Sequence, residues 1–354
     1  MARTTSHAAS ILADIKLAKA EMSSRYFSRT DGDFSEPFAL RRRIAELQRT
    51  AGNLIHAIGV GRKLVMGKPT SALSIRLYVS QKLPKTLLRT QALLPSSIDG
   101  MPTDVIEAVP AHFAAPLNAC TIQRLKRQRP IRPGISLGNV DVAGGTLAAR
   151  CRSRQPGETG QRLMLSNNHV LADFGLAPLG SAICQPSMQD GGTDADTVGT
   201  LLRFVPIAEG VNSVNRVDAA IATVASSVAL SSDICSIGTL MGITEATLNM
   251  TVQKHARTTG YSQGVIDDLD CDVLIPLSRN DPTRVARFVH QLRIRPRIGA
   301  SRFAQGGDSG ALIITKPTNQ AVGLLFACPD NGSYAYANPM QAVLDALDIE
   351  LDFG

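Results

Sequence analysis

The 354-residue sequence predicts a mostly β protein whose larger part is a pair of small antiparallel β-barrels, preceded by a helical segment and a small α+β domain. Three observations carry that expectation. From Gly134 onward short apolar runs (145–150, 162–165, 198–205, 217–224, 265–275, 311–314 and 321–327) alternate with turns rich in Gly, Asp, Asn and Pro, the pattern of many short strands. The stretch after Gly134 holds 354 − 134 = 220 residues, a length that suits two barrels. Before it the period changes: Ile11, Ile15, Ala18 and Met22, then Leu40, Ile44, Leu47 and Ala51, recur at helical spacing.

Taken in order, residues 1–53 form the helical N-terminal segment. Thr30-Asp31-Gly32-Asp33 separates its two runs, and Ser35 before Glu36-Pro37 starts the second. Such a hairpin either covers its own domain or packs on a partner. Residues 54–120 form the small α+β domain, with strands at 54–65 and 73–79 around the turn Met66-Gly67-Lys68-Pro69, a short helix at 85–94 and a last strand at 98–109 after Asp99-Gly100. It holds no carboxylate pair, Cys/His cluster or phosphate loop. Gly59-x-Gly61 lacks the rest of a dinucleotide pattern. Residues 121–134, containing Arg124-Leu125-Lys126-Arg127-Gln128-Arg129-Pro130, are a basic linker, read as a solvated connector, with a nucleic-acid arm and a cleavage site as the other readings. Residues 135–354 are the barrel domain, closed by a helix on which Met340, Val343, Leu344 and Leu347 share a face.

Charge is divided unevenly along the chain. Residues 1–134 carry 21 Lys/Arg and 9 Asp/Glu, net +12; residues 135–354 carry 16 and 21, net −5. A basic N-terminal part suits an acidic surface, either nucleic acid or the chain's own acidic C-terminal part. No aromatic-interleaved basic motif singles out nucleic acid. No run approaches the ~20 apolar residues of a membrane span. The first thirty residues interleave Asp14, Lys16, Lys19 and Glu21 with the apolar positions and so lack the core of a signal peptide, which gives a cytoplasmic expectation. The six cysteines (120, 151, 184, 235, 271, 328) have no metal spacing and are expected as buried free thiols.

The chemistry gathers around Gln305-Gly306-Gly307-Asp308-Ser309-Gly310-Ala311, where a serine stands between glycines ahead of an apolar run. A serine that attacks a carbonyl needs a base, a group that orients the base, and donors for the oxyanion. Gly307 lets the backbone curl so that the N–H groups of Gly307 and Ser309 share one hole. The base candidate is His169 in Ser166-Asn167-Asn168-His169-Val170-Leu171-Ala172. The orienting carboxylate is Asp218 in Val217-Asp218-Ala219-Ala220-Ile221-Ala222. The order is His, Asp, Ser, with gaps of 218 − 169 = 49 and 309 − 218 = 91 residues. That is the order of double-barrel enzymes, whereas the α/β-hydrolase order needs a histidine after the serine, and all six histidines precede Ser309. His255 and His290 are rival bases outside any comparable motif.

With these motifs the chain resembles the trypsin-like (chymotrypsin-fold) serine peptidases over 135–354. Ser166-Asn167-Asn168-His169, Arg257-Thr258-Thr259-Gly260 and Ile75-Arg76-Leu77-Tyr78-Val79-Ser80 resemble a bacterial branch related to the narrow-leaf peptidases of plants. His255 departs from the small residue expected there, and Val170 stands where vertebrate enzymes carry a disulfide cysteine. The resemblance implies two six-stranded chymotrypsin-like barrels and a serine endopeptidase with the triad His169, Asp218 and Ser309. It implies no metal, no cofactor, and a protein or peptide substrate. It also places Phe303 at the floor of the specificity pocket, Phe326, Ala327 and Cys328 beside the substrate backbone, and Gly332 in the pocket wall. No carboxylate falls at that floor, and Asp330 is the nearby acid, so the residue before the scissile bond is expected to be uncharged and small or medium apolar. A regulatory partner would act at residues 1–134. The alternative from another class is a sensing scaffold that binds a protein or nucleic acid and carries a slow or silent peptidase fold.

Overall fold

The structure, a computed structural model, describes residues 2–27, 55–79, 82, 93–108, 112–113, 123–278, 281 and 283–353. It divides into two compact units. The first comprises Met1–Pro110, Glu209–Val214 and Asp267–Gln291; the second comprises Ala111–Ala208, Asn215–Ile266 and Leu292–Gly354. The units are discontinuous in sequence, whereas the domains read from the sequence were continuous stretches.

In the first unit helix α1 (Ala2–Phe27) lies on a hairpin of β1 (Ile55–Val65) and β2 (Lys68–Val79). Ile15, Ala18 and Met22, the helical-period positions, pack with Ile55, Ile58, Val60, Ile75 and Leu77. Ile11 is instead exposed. The hairpin turn needs only Met66 and Gly67, both at positive φ (51° and 76°), the pattern that matches the twist of paired strands. Lys68 and Pro69, expected in the turn, already belong to β2. Strands β3 (Ser97–Ile98) and β4 (Met101–Glu107) form a second hairpin about Asp99-Gly100, and β4 runs parallel to β2. The expected helix at 40–51 and residues 85–92 of the one expected at 85–94 lie outside the described residues; Leu93 and Leu94 are described and are not helical.

Buried ion pairs explain the isolated glycines of β1. Its far edge pairs with residues 268–273, Gly61 opposite Asp268. Arg76 Nη1 donates to Asp268 Oδ1 at 2.7 Å, and a side chain at Gly61 would collide with both groups. At Gly59 a Cβ would lie 2.5 Å from Cys271 Sγ. The glycines make room for packed polar groups rather than for a nucleotide. Lys19, 1% exposed, donates to Asp272 at 2.5 Å and so ties α1 to the sheet. A buried charge of this kind is tolerated only when paired.

The second unit begins with β5 (His112–Phe113), β6 (Ser136–Asn139), β7 (Gly145–Thr146), β8 (Ala149–Ser153), β9 (Leu163–Ser166), the short helix α2 (Asn168–Leu171), β10 (Ala182–Cys184) and β11 (Thr197–Phe204). After β12 (Gly210–Asn215, in the first unit to Val214) come β13 (Ala220–Thr223), β14 (Gly242–Ile243), β15 (Thr251–Ala256), β16 (Gly260–Pro276, in this unit to Ile266), β17 (Val285–Pro296, in this unit from Leu292), β18 (Leu312–Thr315), β19 (Gln320–Cys328), β20 (Ala335–Pro339), helix α3 (Met340–Leu347) and β21 (Ile349–Leu351). One sheet runs β8-β9-β13-β11-β10-β6-β7. Its ends meet, because Leu147 and Ala148 carry β7 straight into β8: Leu147 N–H donates to Ile135 and Ala148 N–H to Leu165. With β7 and β8 counted as one bent strand, the result is a six-stranded barrel filled by Ile135, Leu137, Leu147, Met164, Ile183 and Val198.

The other sheet of this unit runs β17-β20-β19-β18-β15-β16 and closes by pairing of β16 with β17, where Arg297 N–H donates to the Gln263 carbonyl at 3.0 Å. This is the second six-stranded barrel. Met340, Val343, Leu344 and Leu347 of α3 pack with Leu163, Leu165 and Ile221 of the first barrel and Leu312 and Leu324 of the second. The expected mostly β, chymotrypsin-like architecture with two antiparallel barrels is the architecture observed.

The basic linker is not a solvated connector. Ile131 is fully buried and Gly134 N–H donates to the Leu147 carbonyl at 2.8 Å. Arg124 donates to the Arg257 and Thr258 carbonyls, Arg129 to Gln185, and Arg127 pairs with Asp196 at 3.0 Å. Three of the linker's cations thus have acceptors within this chain, while Lys126 and Arg127 stay exposed. Cysteines 151, 184, 235, 271 and 328 are free thiols, and Cys120 lies outside the described residues. Among the described residues no helix is long and apolar enough to cross a membrane.

Candidate active site

A buried carboxylate fixes the loop that carries Ser309. Asp308 is fully buried, as is Lys254 on β15, and Lys254 Nζ donates to Asp308 Oδ2 at 3.0 Å. The same carboxylate accepts the backbone N–H groups of Thr258, Thr259 and Gln305, each at 3.0 Å, and the Thr259 hydroxyl at 2.6 Å. Burial alone would push the Asp308 carboxyl up. Lys254 and the Thr259 and Gln305 donors outweigh that and hold it below the ordinary carboxylate range. Asp308 therefore serves the loop, and Lys254 is a partner that the sequence alone did not single out.

The two carbonyls before Asp308 are pinned as well. The Thr258 hydroxyl donates to Gly306 O at 2.6 Å, and the Thr146 hydroxyl to Gly307 O at 3.0 Å. The C=O and N–H of a trans peptide point in opposite directions. Holding the Gly306 carbonyl on Thr258 consequently aims the Gly307 N–H away from it. Gly307 sits at φ 91°, where a side chain would collide with the Arg257 guanidinium. Arg257 is itself held on Asp190 by two 2.5 Å hydrogen bonds.

The first barrel reaches this loop through β7. Thr146 N–H donates to the Ser309 carbonyl at 2.7 Å, and a side chain at Gly310 would strike the Thr146 carbonyl and the Ser166 hydroxyl. A Cβ on Gly145 would lie 2.5 Å from Val170 Cγ2 and 2.8 Å from the Ser309 carbonyl. The neighbour of His169 and the backbone of Ser309 therefore converge on one glycine. The Ser309 hydroxyl donates to the Phe326 carbonyl at 3.2 Å.

His169 sits on the one-turn helix α2 and is 7% exposed. Its Nδ1 contacts Asp218 Oδ2, and its backbone N–H donates to Asp218 Oδ1 at 3.2 Å. Asp218 is fully buried. Its backbone is held from both sides: Asn167 Nδ2 donates to its carbonyl at 2.6 Å, and its N–H donates to Asn338 Oδ1 at 3.1 Å. The Phe174 ring stacks on the imidazole at 5.8 Å between centroids. The rival histidines have other partners. His255 Nδ1 lies 3.2 Å from the Gly134 carbonyl, and burial, with Arg124 next to it, brings its pKa down to about 4. It pairs with Tyr261 within a regular strand, so the departure at this position leaves the strand intact. His290 belongs to the first unit and contacts Asp270.

Phe303 is fully buried, with Lys254 Nζ 5.4 Å from its ring centroid. Its N–H donates to the Gly332 carbonyl at 2.9 Å. Gly332, at φ 67°, admits no side chain, because a Cβ there would meet the Ala304 carbonyl and lie 2.8 Å from Arg302 Cβ. Phe326, Ala327 and Cys328 run together along β19, and Asp330 is exposed. Among the described residues no cluster of three His, Cys, Asp or Glu could hold a metal ion.

No protein-family model and no curated protein matches the sequence. Solved structures of bacterial chymotrypsin-fold serine proteases are similar to this chain. Thermobifida fusca protease A is 17% identical, with a TM-score of 0.44 over 63% of this chain and 99% of that one. A Nocardiopsis protease is 17% identical, with a TM-score of 0.44 over 62% and 98%. Cellulomonas bogoriensis chymotrypsin is 17% identical, with a TM-score of 0.43 over 63% and 100%.

The Lys254–Asp308 pair gives a stability test. Lys254→Met strands a buried carboxylate and should cost about 3–5 kcal/mol at neutral pH. The Asp308 carboxyl is depressed in the fold, so its contribution is complete above the unfolded carboxylate range and is lost as pH falls through the folded value. The deficit of the variant should therefore narrow on acidification. Urea denaturation at neutral and acid pH measures it; a deficit independent of pH would remove the ion pair as its cause.

Proposed function

We propose that this protein is a serine endopeptidase. Ser309 attacks the scissile carbonyl while His169 takes its proton, and the hydroxyl turns from the Phe326 carbonyl toward His169 Nε2 to deliver it. Asp218 keeps the imidazole in the tautomer with hydrogen on Nδ1 and stabilises the imidazolium that forms. The N–H groups of Gly307 and Ser309 take the oxyanion. His169 then returns the proton to the leaving amine, and water, activated by the same imidazole, releases the acyl group. The scheme uses no metal or cofactor. The observation that supports it most is the double hold of a buried carboxylate on His169, at ring and backbone, next to a loop whose peptides are pinned one by one. The intact motifs favour a working enzyme over a silent scaffold.

Ser309→Ala, His169→Ala and Asp218→Asn should each lower peptide hydrolysis by several orders of magnitude, on the order of 10⁴-fold or more, with the fold retained by circular dichroism. Cleavage by purified Ser309→Ala at the wild-type rate would reject the assignment.

Thr258 and Arg257 act as positioning residues for the oxyanion donors. Thr258→Val frees the Gly306 carbonyl and lets the 306–307 peptide turn. It should lower kcat about tenfold or more, a fraction of the loss of a whole donor, with KM little changed and Thr258→Ser restoring most of it. A change confined to KM, or no rescue by serine, would assign Thr258 to packing.

None of Phe303, Phe326, Ala327, Cys328 and Gly332, which we take to line the specificity pocket, is an acid that would compensate a cation. Fluorogenic peptides varied before the scissile bond should show a preference for uncharged, small or medium apolar residues; a clear preference for Arg or Lys would overturn the pocket and point to Asp330.

A further inference from the structure

Strand β19 has two edges in the second unit, and the chain itself fills both. On one side β20 pairs with it, Ala327 opposite Tyr336. On the other, successive residues meet successive parts of the Ser309 region. Leu324 pairs with Leu312 of β18. Leu325 exchanges hydrogen bonds with Ala311 and Gly310, both at 2.9 Å. Phe326 O accepts the Ser309 hydroxyl. Just beyond, Ala327 pairs with Phe113 and Cys328 with His112, antiparallel. Strand β5 is therefore added to the same edge, starting where the Ser309 loop leaves it.

An open strand edge is a template for an extended backbone, and addition of a strand is a common mode of peptide recognition. The direction matters too. From His112 to Phe113 the segment runs toward Phe326 and the Ser309 hydroxyl. A peptide held in this direction brings the acyl side of a following bond to Ser309, the polarity that hydrolysis requires. Pairing along a strand edge is made by main-chain groups, so the edge takes an extended peptide or an unfolded protein segment.

We propose that residues 112–113 are an intramolecular ligand of the peptide-binding edge of β19, so that the chain occludes its own substrate subsite and an extended peptide must displace β5 to enter. The term "substrate" rests on the peptidase reading; the occupancy of the edge does not. A tethered ligand competes at an effective concentration of about 1 mM. Against a peptide of roughly 0.1 mM affinity, that weakens apparent binding about tenfold.

The test uses the full chain carrying Ser309→Ala and a fluorescein-labelled peptide with the sequence of residues 108–113, Ala-Val-Pro-Ala-His-Phe, read by fluorescence polarisation. Proline cannot donate to a strand ladder, so adding His112→Pro and Phe113→Pro should tighten the peptide about tenfold. If that protein misfolds, His112→Gly with Phe113→Gly replaces it and should act in the same direction. In chains with Ser309 intact, the same changes should lower KM for an extended peptide and leave kcat. Equal affinity with and without the changes overturns the proposal, and so does failure of the peptide to bind either protein. Loss of all hydrolysis with the binding shift retained would reject the peptidase reading and leave the edge assignment standing.

Discussion

Everything near Ser309 depends on a carboxylate that has no water to turn to. Asp308 is buried, and an unpaired charge there would unfold the loop or be neutralised. Five donors meet it: Lys254 Nζ, three backbone N–H groups and the Thr259 hydroxyl. Satisfying one side chain thus fixes residues 258–259 and 305 around the turn that presents Ser309. Thr258, brought there by that requirement, is the residue whose hydroxyl takes the Gly306 carbonyl. Electrostatic satisfaction of the loop and orientation of its peptide dipoles are one construction.

The His169 side follows the same logic at the level of the backbone. Asp218 orients the imidazole, but Asn167 and Asn338 hold Asp218 by its own peptide groups. Asn338 comes from β20 and Asn167 from the link between β9 and α2, so residues of both barrels set the carboxylate. The protein has no room for adjustment at the contact: Gly145 and Gly310 are each close enough to the opposite barrel that a single methyl group would collide.

Much of this was legible in the sequence, and the limits have physical causes. Short apolar runs between turns disclosed the barrels because strand periodicity is local. His169, Asp218 and Ser309 stood out as candidates because each sits in a motif of small and polar residues. Lys254 and Asn338 were missed, since each stands alone in an otherwise strand-like run and its role comes from a partner 54 and 120 residues away. Residues 124–134 looked solvated because Arg and Pro dominate them, yet Ile131 is buried and backbone hydrogen bonds tie the segment to the barrel. Gly59 and Gly61 carried no readable signal; only the placement of Arg76, Asp268 and Cys271 explains them. The addition of His112–Phe113 to β19 was equally invisible, because two residues have no periodicity.

The central claim is that Ser309 is a nucleophile activated by His169, and covalent capture tests it most directly. The full chain is treated with a fluorophosphonate, digested, and the modified residue located by mass spectrometry. The expected result is stoichiometric modification of Ser309 that disappears in folded His169→Ala. Modification elsewhere, or equal labelling of Ser309 without His169, would contradict it.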